Sequence, residues 1–370
     1  MKKLWSEVKY WIFILIFLAI LFELVASMIL FRKYTPGKLA TLHFTGKLFE
    51  KGAGQKAYNM HKMSRPGASD DVNKMIADET KNATQYSYEP WMMFRMANHH
   101  SKYVNVNGFE RKSAPDALIK SGSADTIDIY FFGGNTMYGY NLADDETIPS
   151  YFLKAYQQEN PNRSVRVGNF GVPHYYSKQE LMLLSSLLFE GRRPDIVIFL
   201  DGMNDFYPSR ILYYDRPWFS YALQQSFEGK MAEKRKNTFI DSTDQFYKDP
   251  PGITGNDYHD ELVLKYQNNI RMATGLCRNM GIKSYFFCQP VPFYKNGNLS
   301  RNEYQGNYKR FEYIYPELEK NKDSLDNFYF LGNMLENEKG NAFIDSFNYS
   351  PAFSEKVAKQ ILHFVKKDLQ

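Results

Sequence analysis

Residues 127–139 read IDIYFFGGNTMYG, and the fold follows from how this stretch is taken. A run of β-branched and aromatic residues ends abruptly in two glycines. A short apolar run bounded by a turn signal is a buried strand entering a tight turn. Gly133 and Gly134 have no Cβ, so the chain can bend sharply at the strand's carboxyl end. In open α/β sheets that end is where ligands bind. Asn135 stands where such a turn presents its side chain.

Downstream, strand and helix patterns alternate. Residues 147–160 form a helix with Ile148, Phe152 and Ala155 or Tyr156 on one face, and residues 164–169 a second strand. Residues 177–190 begin with a Ser177–Glu180 capping box and continue as an amphipathic helix. Residues 195–200, DIVIFL, are apolar enough for a strand buried on both faces. A long helix over 258–280 is closed by Gly281, and a fourth strand covers 282–287. Residues 328–331 or 342–344 supply a fifth strand, and 353–366 a closing helix. The alternation predicts an α/β fold, a doubly wound parallel sheet with right-handed crossovers. Parallel strands share one direction, so the loops after them meet at one edge of the sheet.

Upstream, residues 11–31 are almost wholly apolar, broken only by Glu23. About 20 apolar residues span a bilayer. A carboxylate at that depth costs roughly 2.5–3.5 kcal/mol, which the surrounding Leu, Ile and Phe offset. Val25-Ala26-Ser27 loosely resembles a signal-peptide cleavage site, but the apolar run continues through Leu30, which favours a retained anchor. Lysines and arginines flank both ends, and the N-terminus is placed inside because a large domain follows. The expected organisation is a cytoplasmic tip and single transmembrane anchor (1–33), a stalk and edge segment (34–122), and an extracytoplasmic domain (123–370). That domain, periplasmic or at the cell surface, carries a Tyr- and Pro-rich insertion at about 207–257.

Among 370 residues, 44% are hydrophobic and 24% charged, an ordinary globular balance. The net charge of +5 comes from scattered Lys and Arg, so no nucleic-acid footprint is present. Aromatic residues reach 16%, which serves a core or a sugar- or lipid-contacting surface. Cys277 and Cys288 are too few for a disulfide scaffold or metal cluster, and read as buried small residues or a single bridge. His99 and His100 have no partner ligands at usable spacing. Neither a metal nor a cofactor is called for.

Four loops after strands hold distinctive polar residues. They are Gly133-Gly134-Asn135-Thr136, Asn169-Phe170-Gly171, Gly202-Met203-Asn204-Asp205, and Asp345-Ser346-Phe347-Asn348. This order resembles the SGNH (GDSL-type) hydrolase superfamily, from about Asn105 onward. The family's first block is Gly-Asp-Ser, or Gly-Gly-Ser-Thr in members linked to exopolysaccharide and cell-envelope sugars. Its second is a lone Gly, its third Gly-x-Asn-Asp, its fifth Asp-x-x-His. Residues 104–111, VNVNGFER, and Gln289-Pro290 are similar to segments around those blocks. The resemblance implies a flavodoxin-like, three-layer α/β/α domain, with oxyanion-hole or ligand-binding donors at Asn135, Gly171 and Asn204.

The departures bear on function. The nucleophile position holds Asn135 and the base position Asn348, while Asp345 is retained. An amide has neither a displaceable proton at neutral pH nor useful basicity. Thr136 points away, Ser346 cannot be nucleophile and base at once, and His174 reaches at most the pocket rim. The expectation is a membrane-anchored domain without esterase activity that binds or helps modify an acylated envelope polysaccharide, alone or with envelope assembly proteins. An active carbohydrate esterase or O-acyltransferase with a non-standard nucleophile is the alternative. A structural interaction protein using the insertion is the second alternative.

Overall fold

A computed structural model of the chain describes residues 69–89, 91–113, 126–206, 256–296, 309–345 and 347–369. The expected membrane span, the stalk up to residue 68, the insertion from 207 to 255, and Ser346 lie outside the described residues. Among the described residues no helix is long and apolar enough to cross a membrane.

In chain order the strands are β1 (Tyr86–Glu89), β2 (Met93–Met96), β3 (Val106–Asn107), β4 (Glu110–Arg111), β5 (Ile127–Gly133), β6 (Val165–Gly171), β7 (Ile196–Asp201), β8 (Lys283–Cys288) and β9 (Phe328–Phe330). The helices are α1 (Asp70–Ala83), α2 (Asn135–Tyr138), α3 (Ile148–Glu159), α4 (Ser177–Phe189), α5 (Asn256–Asn279), α6 (Lys309–Lys320) and α7 (Pro351–Val365). The main sheet runs β3-β4-β6-β5-β7-β8-β9. Its last five strands are parallel and β4 pairs antiparallel to β6. Numbered from β5, the parallel order is 2-1-3-4-5, the flavodoxin-like winding, with its switch point at β5.

The period-2 pattern of the strands explains the layering. Ile129, Phe131, Ile196, Ile198, Leu200, Tyr285 and Phe287 face a core shared with α3 and α7. Tyr130, Phe132, Val197, Phe199, Phe286 and Cys288 face the opposite core, shared with α4, α5 and α6. On that second face Phe132, Phe199 and Phe286 stack on neighbouring strands at centroid spacings of 5.0 and 5.1 Å. Phe170 extends the stack across β6 at 5.5 Å. Offset aromatic pairs at this spacing add to the burial of the rings.

Some expectations are corrected and some open alternatives are decided. The Ser177–Glu180 capping box does not form: Tyr176 is the N-cap, the Ser177 hydroxyl donates to Asp205, and Glu180 is fully buried. The fifth strand is β9; Phe343 makes only an isolated bridge to Tyr349. The last helix begins at Pro351, where Ser350 caps and a proline fits the first turn. The expected edge element divides in two. β1 and β2 form a separate two-stranded sheet, and the main sheet's edge is β3 with β4. Helix α1 was not anticipated. Both cysteines are free and buried, and burial pushes the Cys277 thiol up to about 12.

Arg111 ties this edge to the loop after β5. It is 1% exposed and donates to the carbonyls of Tyr138, Gly139 and Leu142 at 2.8, 2.6 and 2.5 Å. Its guanidinium also lies 4.5 Å from the Tyr138 ring centroid and 3.4 Å from Asp144. Breaking a buried ion pair from one side leaves an uncompensated charge, at a cost of about 3–5 kcal/mol. Arg111→Met is therefore expected to lower the unfolding free energy by about that amount in urea titrations. A loss below about 1 kcal/mol would mean that the loop holds without the clamp.

Candidate functional site

Three chain segments converge at the carboxyl ends of β5, β6 and β7. β5 passes through Gly133 and Gly134 into the single-turn helix α2. A Cβ on Gly134 would lie 2.3 Å from the Asn204 amide nitrogen and 3.0 Å from the Tyr175 carbonyl. A Cβ on Gly171 would lie 2.3 Å from the Tyr138 backbone nitrogen. Contacts under 3 Å are closer than packed atoms tolerate, so glycine is what allows the three loops to touch.

Asn135, Gly171 and Asn204 are brought together around residues 172–175. The Asn135 side-chain oxygen accepts the His174 N–H at 2.8 Å. The Asn204 amide donates to the Tyr175 carbonyl at 2.6 Å. The Gly171 N–H donates to the Asn169 side chain at 2.9 Å. Asn169 is fully buried and also donates to Ser113 and to the Met137 carbonyl. The Gly171 N–H and one of the two Asn204 amide protons are thus engaged within the protein, while Asn135 is engaged through its oxygen. Thr136 is buried, with its hydroxyl donated to Gln289 at 3.0 Å, and so has no free nucleophilic role.

Asp345 and Asn348 form the second half. Asp345 accepts from the backbone N–H groups of Phe347 and Asn348 through one oxygen, at 3.0 and 2.8 Å. Its other oxygen accepts the side-chain amides of Asn348 and Asn141, both at 2.8 Å. A carboxylate only accepts, so Asn348 must present its nitrogen to Asp345. That leaves the Asn348 oxygen, buried and without a partner, as an acceptor that cannot carry a proton away. Asn141, in the loop after α2 with φ 62°, links this half to the first. Sequence reasoning missed it; an asparagine in a left-handed turn was the available signal.

Beneath the Asn204 loop lie three buried carboxyls, Glu180, Asp201 and Asp205. Asp205 accepts from both the backbone and the hydroxyl of Ser177, and Asn269 donates to that hydroxyl. Neither Glu180 oxygen accepts a hydrogen bond from a donor group. Its carboxyl lies near those of Asp201 and Asp205. Burial first, then Asp201 and Asp205 around Glu180 and Asp205 beside Asp201, pushes both groups well above the usual carboxylate range, with the Glu180 carboxyl opposing the rise at Asp201. A separate cavity of about 450 Å³ opens near the start of β5 and β6, between the ion pairs Arg166–Asp128 and Arg192–Glu110. It touches none of the site residues above.

Solved structures that the chain resembles include GDSL/SGNH-type esterases and an acylhydrolase. One is a G-D-S-L-family protein from Desulfitobacterium hafniense: 10% identity, 64% of this chain and 98% of that chain covered, TM-score 0.38. Another is a carbohydrate acetylesterase family member from Sinorhizobium meliloti: 14% identity, 66% and 99% covered, TM-score 0.36. A third is a catalytic mutant of an acetylxylan esterase from Geobacillus stearothermophilus: 15% identity, 66% and 96% covered, TM-score 0.40. No family model matches the sequence, and no curated protein does. The site's chemistry rests on the strand order and the loop contacts, not on these similarities.

The acid pair has a thermodynamic consequence. Its folded-state values exceed the unfolded ones, so the folded chain holds an extra proton. The stability this contributes is complete below the unfolded carboxylate range and is lost as pH rises through the folded values. Urea-unfolding free energies should therefore fall as pH rises above the ordinary carboxylate range, by at most about 1.4 kcal/mol per pH unit per proton. Glu180→Gln should flatten that slope; an unchanged slope would place the titration elsewhere.

Proposed function

We propose that this chain is a hydrolase-like domain without ester-cleaving chemistry, which binds or helps modify an acylated envelope polysaccharide. The observation that carries the reading is that the nucleophile and base positions hold amides fixed in place: Asn135 by the His174 N–H, Asn348 by Asp345. Acyl transfer needs an attacking oxygen or sulfur and a group to take its proton. Asn135 supplies neither, and the neighbouring Thr136 hydroxyl is turned into the protein.

The saccharide class is supported by the sequence resemblance to envelope-linked SGNH members. The apolar run at residues 11–31 supports an anchored, extracytoplasmic placement.

The test is hydrolysis of p-nitrophenyl acetate and of an acetylated xylo-oligosaccharide by the chain, beside the double variant Asn135→Ser with Asn348→His. The natural chain should stay at the buffer rate. The double variant should gain roughly 10²-fold or more, the range that a positioned general base contributes. Calorimetry should register binding of the acetylated oligosaccharide and weaker binding after deacetylation. Turnover by the natural chain that survives Asn135→Ala would overturn the reading and favour an esterase or O-acyltransferase with another nucleophile.

A further inference from the structure

The segment between β6 and α4, residues 172–176, crosses the site and is bonded on both sides. On the inner side the Asn135 oxygen accepts the His174 N–H at 2.8 Å, and the Tyr175 carbonyl accepts the Asn204 amide at 2.6 Å. The Val172 N–H donates to the Gly133 carbonyl, which ties the segment's start to the end of β5. On the outer side lies the β1–β2 hairpin. The Tyr175 hydroxyl donates to the Phe94 carbonyl, and the two rings meet edge to face at 5.1 Å. Gln179 donates to the Met92 carbonyl at 2.9 Å, and the Tyr86 ring lies 6.3 Å from that of His174.

Within this clamp His174 has φ 71°. That left-handed conformation is uncommon for a residue with a side chain and needs local contacts to hold it. The inner contact that fixes its N–H comes from Asn135. A serine at that position would be too short: its oxygen sits one bond beyond Cβ, whereas an asparagine oxygen sits two beyond.

We infer that Asn135 is a latch, and that residues 172–176 are a strap which it closes over the site. While the strap is closed, the Tyr175 carbonyl takes one of the two Asn204 amide protons, and a ligand carbonyl that binds this proton must displace the strap. Strap and ligand then compete for that donor. The latch stands on the contacts alone; its competition with a ligand rests on the binding function proposed above.

Hydrogen–deuterium exchange on the full chain tests it, comparing the natural protein with Asn135→Ala and Asn135→Asp. Asp keeps an acceptor oxygen at the same distance from Cβ; Ala removes it. Exchange over residues 172–176 should accelerate roughly three- to tenfold in Asn135→Ala, the weight of one hydrogen bond. It should stay near the natural rate in Asn135→Asp. Amides of β7 and β8 serve as the folding control and should not change. Equal exchange in Asn135→Ala and the natural chain overturns the latch, as does equal acceleration in both variants. Calorimetry with an acetylated xylo-oligosaccharide reads the second part, since freeing the strap should tighten binding by a similar factor. If exchange accelerates but none of the three proteins binds the oligosaccharide, the saccharide reading fails and the latch stands.

Discussion

The site depends on backbone packed against backbone. A single added carbon at Gly171 would come within 2.3 Å of the Tyr138 backbone nitrogen, and one at Gly134 within 3.0 Å of the Tyr175 carbonyl. That closeness requires strands that leave the sheet in one direction at one level. The parallel registers of β5 with β6 and β7 provide it: Gly133 lies opposite Gly171 on one side and Leu200 on the other. The stacked phenylalanines on one face and the aliphatic residues on the other hold these strands from both sides. The chemistry of the loops is therefore secondary to a geometry set by the core.

The parts of the fold legible in the sequence were those whose signal is local. β5, β7 and β8 are apolar runs buried on both faces and ended by turn residues, so their positions followed from composition alone. Helix α1 escaped because its buried stripe is only Ile76, Thr80 and Ala83, too thin to stand out in a polar stretch. The Ser177–Glu180 pattern misled because a capping box is a local rule. What decides the fate of Glu180 is burial beside Asp201, on a strand far along the chain. Residues of the site were legible as positions, through block order, but not as partners. The engagement of Gly171 with Asn169, of Asn204 with Tyr175, and of Asn135 with His174 involves backbone atoms, which carry no sequence signature.

Asn135 and Asn348 each hold a hydrogen bond and carry no basicity. Asp345 accepts four donors, two of them from Asn348 itself. A carboxylate left unpaired in a partly buried place is costly, and a side-chain N–H is what satisfies it. Asparagine meets that requirement and has no basicity. The same logic applies at Asn135, whose oxygen holds a loop but cannot attack a carbonyl. A hydrogen bond and a proton transfer are separable demands, and an amide meets the first without the second. The loops are thus held in register by bonds that need no proton transfer.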